Sequence, residues 1–129
     1  MDKEVAAQGR REAGLYLKEL REAIGLSQRE IASLAGFEYY TFVSQIETGA
    51  AKLPPAQMKR YAEIVKASPR EFAITLLRHY EPHHYEMIFT DDLAKRITDR
   101  DRDQLASREE EMDALAARIA KLESALSQG

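Results

Sequence analysis

Tyr40, Thr41, Ser44 and Gln45 place four uncharged hydrogen-bonding side chains within six residues. Their spacing puts them on or near one face of a helix. Such a face is poor in charge and rich in donors and acceptors. It suits the base edges of a DNA major groove, where Gln pairs with adenine and a Thr methyl touches the thymine methyl. The competing expectation is a solvated helix face with some aromatic packing, strongest for Tyr39 at the helix start.

The elements that position these residues are legible on either side of them. Ser27 can cap a short helix, and Glu30 three residues later completes a capping box. Ile31, Ala32, Leu34 and Ala35 supply its apolar face, and small Ala32 allows close approach of a neighbour. Gly36 suits a left-handed stop. A second helix is predicted from Glu38 or Tyr39 to Thr48, with Phe42, Val43 and Ile46 buried and Gly49 ending it. A capped helix, a glycine turn and a second helix with a polar outer face form the layout of a helix-turn-helix.

Residues 17–72 resemble the Xre/Cro/lambda-repressor-like helix-turn-helix family. The resemblance is carried by Leu17, Leu20-Arg21, Gly25-Leu26-Ser27-Gln28, Ile31-Ala32, Gly36, Val43, Ile46-Glu47 and Gly49. It continues through Pro54 or Pro55, Tyr61-Ala62-Ile64-Val65 and Ser68-Pro69. It implies a structural ion pair between Arg21 and Glu47, and a DNA-backbone contact by Gln28. Gly36 to Thr41 is one residue longer than the family's usual turn and carries two tyrosines where small polar residues are common. The register of the reading residues is therefore open by one position.

The formal net charge of −3 is not that of a typical nucleic-acid binder. It is unevenly distributed: residues 1–90 hold 12 basic and 12 acidic residues, and residues 91–129 hold 7 and 10. A neutral reader must gather its cations at the phosphates. The candidates are Arg10, Arg11, Arg29, Lys52, Lys59 and Arg60, and Arg29 and Lys52, with Gln28 and Tyr39, form the expected phosphate-contacting set. Few such contacts per subunit would make affinity depend on dimerisation and fall steeply with salt.

Around this motif the periodicity predicts helices over residues 8–24, about 56–66 and 69 to about 80. Leu15, Leu17, Leu20, Ala23 and Ile24 recur in the first. Gly14 there costs about 1 kcal/mol relative to Ala and suggests that the helix starts nearby. Met58, Tyr61, Ala62 and Val65 face inward in the next, as do Phe72, Leu76 and Leu77 in the last. No alternation indicates a strand. Residues 81–90 are too apolar for a bare linker and should pack on the domain or on a partner chain.

Residues 91–128 contain no Gly, Pro or aromatic residue. Leu105, Met112, Ile119 and Leu126 recur every seven residues, and Leu115 and Leu122 fall three after Met112 and Ile119. This is an a/d heptad pattern with Arg108 in the remaining d position. Leu93 and Ile97 lie outside that frame, and Thr98 to Asp103 reads as a charged helix or a break. Three heptads are marginal alone, so self-association would draw on the tethered domains; a lone helix docked on the domain is the alternative.

Other chemistry is poorly supported. His79, His83 and His84 with Asp91 and Asp92 could ligate zinc, but Pro82 disfavours the helix that would align His79 and His83. No phosphate loop, nucleophile elbow or Ser-His-Asp pattern is present, so neither an enzyme nor a cofactor is expected. Absence of Cys, of a long apolar run and of an N-terminal signal core fits the cytoplasm.

The expected architecture is all-α. A five-helix lambda-repressor-like helix-turn-helix domain over residues 8–80 is followed by an apolar connector, 81–90, and a charged helix with coiled-coil heptads, 91–129. The expected function is a transcriptional regulator, a repressor by default, that reads double-stranded DNA as a homodimer. Two alternatives remain: an antitoxin-type autoregulator whose C-terminal helix binds a toxin, and a protein–protein adaptor of the same fold without DNA binding.

Overall fold

A computed structural model describes residues 2–128, which form seven helices and no strand. Helix α1 spans Lys3–Ala23. It begins five residues before the position expected from the apolar pattern, because the Asp2 carboxylate accepts from the Glu4 N–H at 3.1 Å and caps a polar first turn. Gly14 does not mark its start. It is buried in mid-helix, where an added Cβ would overlap the carbonyl oxygen of Glu47. Leu15, expected in the core, points to solvent, and Leu17 is fully buried.

Helix α2, Gln28–Ala35, carries the complete capping box. Ser27 Oγ accepts from the Glu30 N–H, and Glu30 Oε1 accepts from the Ser27 N–H, each at 3.0 Å. Gly36 ends it at φ 79°. Helix α3, Tyr40–Thr48, ends at Gly49, whose φ of 87° is one that side chains rarely adopt. Helices α4, Pro55–Ile64, and α5, Pro69–Tyr80, each begin with proline, which loses nothing at a position whose N–H has no helical partner.

Pro82 opens a sixth helix, α6, Pro82–Ile88, which the sequence pattern did not reveal. The break falls at Glu81, with φ −135° and ψ 66°. One helix ends before this proline and another starts at it, so His79 and His83 lie on different helices, as expected. Tyr85 is buried and its hydroxyl donates to Asp91 Oδ1 at 2.7 Å, while Met87 and Ile88 remain exposed. Helix α7 then runs unbroken from Asp91 to Ser127, about 55 Å at 1.5 Å per residue. Thr98 to Asp103 is therefore helical.

One core unites α1 to α5. Leu17, Ile31, Val43, Ile46, Leu53, Tyr61, Phe72 and Leu76 are all essentially inaccessible to solvent. Tyr61 stacks on Phe72 with ring centroids 5.9 Å apart. Helix α1 is central, packing on α3 and on α5, while α2 joins α3 to α4. The first turns of α7 lie on α5, where Ala94 is buried and Arg70 and Arg102 pair with Asp101 and Glu71. From residue 102 to residue 128 every position of α7 is exposed.

Candidate nucleic-acid interface

The position of α3 is set from beneath. Val43 and Ile46 enter the core, and Glu47 is 6% exposed at the end of the same face. Arg21 of α1 meets Glu47 in a two-pronged pair: Nε donates to Oε2 at 2.7 Å and Nη2 to Oε1 at 2.9 Å. Arg21 Nη1 also donates to the Leu26 carbonyl at 2.8 Å. The hydrogen bonds to Glu47 hold the guanidinium pKa above its already high value, against the cost of burial. Gln28 Nε2 completes the cluster by donating to Glu47 Oε1 at 3.1 Å. The first residue of α2, the last turn of α3 and the last turn of α1 are thus locked together.

A second clamp holds the C-terminal end of α3. Arg10 Nε donates to the Gly49 carbonyl at 2.9 Å, and Arg11 packs against the Gly49 backbone while binding Gln8. Both arginines were candidates for phosphates; one of them is engaged in fixing the end of α3. The sequence signal for this was the glycine itself, since Gly14 and Gly49 are where α1 and α3 come into backbone contact.

With its inner face fixed, α3 presents Tyr40, Thr41 and Gln45 outward, with Ser44 half-buried beside them. Tyr39 precedes the helix in an extended conformation and is 66% exposed, so it does not pack inward. Phe42, on the flank, packs edge-on against Phe37 at 5.3 Å and anchors the long turn. The guanidinium of Arg29, in the first turn of α2, lies 4.4 Å from the centre of the Tyr40 ring.

The remaining cations are differently placed. Lys52 Nζ pairs with Glu81 Oε1 at 2.9 Å and lies 5.7 Å from the Tyr80 ring centre, so it is drawn toward the end of α5. Gln28 faces Glu47 rather than open solvent. Of the residues expected at phosphates, Arg29 and Tyr39 stand beside the exposed face of α3, whereas Gln28 and Lys52 already have acidic partners.

The histidines disperse. His79 Nδ1 lies 3.3 Å from Glu12 and His84 Nδ1 lies 3.9 Å from Glu81. No cluster of metal-ligating side chains occurs among the described residues. No helix among them is long and apolar enough to cross a membrane. On α7, Leu105, Met112, Leu115, Ile119, Leu122 and Leu126 are between 42% and 80% exposed, an apolar stripe that no element among the described residues covers.

The helix-turn-helix domain family model matches residues 12–73, just under half of the chain and the whole of the segment that carries α2 and α3. No curated protein matches the chain. Domains of this kind point to DNA-binding regulators and are typically not enzymes. Residues 12–73 are a helix-turn-helix domain, consistent with an Xre-like regulator family, on which a long C-terminal helix is built.

Proposed function

We propose that this chain is a sequence-specific transcriptional regulator that reads the major groove of DNA with α3 as a homodimer and represses by occluding promoters. The observation that carries this reading is the division of α3: one face fixed by the Arg21–Glu47–Gln28 cluster, the other exposed, polar and nearly free of charge. A rigid polar helix face is what direct readout requires, because side chains must meet base edges in one register.

In this mechanism Thr41 and Gln45 touch base edges, with Tyr40 and Ser44 flanking them, and Arg29 and Tyr39 hold phosphates. Gln28 and Lys52 reach phosphates with the N–H donors that their carboxylate bonds leave over. Two subunits, joined through the stripe on α7, read half-sites about one helical turn apart. The working compartment is the cytoplasm, on the nucleoid. The test is the pair Gln45→Ala and Thr41→Ala. Both side chains are exposed, so the fold is retained while specific binding is lost; undiminished operator affinity would refute the groove assignment.

A second reading draws on the acidity and the bare stripe of α7: an adaptor or antitoxin that binds another protein through that helix. As an adaptor it predicts no salt-sensitive binding to any duplex; as an antitoxin it predicts DNA binding together with a complex with a co-encoded toxin on co-expression.

A further inference from the structure

We infer that Tyr40 is a positioning residue: its ring face holds the Arg29 guanidinium in place for a DNA phosphate. This rests on the DNA-binding reading above. The geometry is a 4.4 Å separation between the guanidinium carbon and the ring centre, across the turn that joins α2 to α3. Both side chains are exposed, and both lie in the first turn of their helices. The contact therefore bridges the two halves of the motif on its outer surface, where the buried cluster bridges them from within.

An arginine on a free helix surface samples many rotamers, and ordering it on a phosphate lowers the affinity that the charge would otherwise give. The electron-rich face of a tyrosine removes part of that loss, because it attracts the guanidinium in the unbound protein. It does so without consuming the hydrogen-bonding capacity, since a guanidinium stacked on a ring keeps its N–H groups at the ring edge. The contrast with Lys52 is direct: the charge of that cation is already offset by the Glu81 carboxylate. Arg29 is held by a ring, which leaves its charge whole. The two roles of Tyr40 are separable, the ring face serving Arg29 and the hydroxyl remaining for the groove.

The test measures the salt dependence of binding to the duplex recovered by selection, using the full chain and four variants. Arg29→Gln should lower the slope of log affinity against log salt by about 1 per subunit. Tyr40→Leu keeps the charge and should bind more weakly than Tyr40→Phe by part of the Arg29→Gln loss, and the double variant should lose less than the sum of the two. Tyr40→Phe keeps the ring and should keep the slope, whatever it does to sequence preference. Equal affinity of Tyr40→Leu and Tyr40→Phe, or fully additive losses, would overturn the inference while leaving the DNA reading intact. A wild-type chain without salt-sensitive duplex binding would remove both. Unchanged thermal melts across the variants, both side chains being exposed, separate positioning from loss of fold.

Discussion

At the residue scale, the arrangement turns on one buried carboxylate. Glu47 receives two bonds from Arg21 and one from Gln28 while almost wholly removed from water. Removing one member of such a pair leaves the other charge buried and uncompensated, at a cost of about 3–5 kcal/mol. Glu47→Ala should therefore destabilise the domain by that amount in chemical denaturation, far more than Arg29→Ala on the exposed side. Titration adds a second prediction. Burial and the neighbouring Arg78 hold the His79 imidazole below the usual histidine range, against the pull of Glu12. The unfolded chain then binds that proton more readily, so stability falls as pH drops below 6.5 and levels off once the lowered folded value is passed. Glu30, held low by the Ser27 N–H, and Glu81, held low by Lys52, act in the acid range. Their contribution is complete above 4.5 and lost as pH falls through their lowered values. Denaturation midpoints across pH should show both declines, and His79→Gln should abolish the upper one.

At the element scale, Gly14 gives the sharpest case. Helix propensity alone predicts that Gly14→Ala stabilises α1 by about 1 kcal/mol. The added Cβ would instead meet the Glu47 carbonyl and force α1 from α3, so overpacking of about 1–3 kcal/mol should win and the melting temperature should fall. The same substitution at an exposed helical site would raise it. This residue also marks the boundary of what the sequence discloses. The capping box of α2 and the glycine stops of α2 and α3 involve residues a few positions apart, so they are readable locally. The close approach at Gly14 needs a partner 33 positions away and is not. Pro82 breaks the helix that ends at Tyr80, as expected; that it also opens a new one is not legible, because α6 has only seven residues in which to show a pattern. The Lys52–Glu81 pair joins residues 29 positions apart and is unreadable locally for the same reason as the approach at Gly14. Leu15 and Leu17 are both apolar and two apart, yet one helix face cannot bury both.

At the scale of the whole molecule, the two surfaces proposed for DNA and for a partner are separated. Helix α3 packs on α1 and α2, whereas α7 leaves the domain along α5. A partner gathered on the exposed stripe of α7 would therefore not need to cover Thr41 or Gln45. Leu115→Glu with Leu122→Glu places charge on that stripe without touching the core. Light scattering should give twice 14.7 kDa for the unaltered chain and 14.7 kDa for this variant, whose far-UV spectrum remains helical in its N-terminal domain. Equal masses would move the stripe from self-association to another protein.

The proposed role of the polar face of α3 is to read base edges. Selection of bound duplexes from a random pool, at low and at physiological salt, tests it most directly. The expected result is a palindrome with half-sites about one helical turn apart, bound more weakly as salt rises. No enrichment at either salt would contradict it.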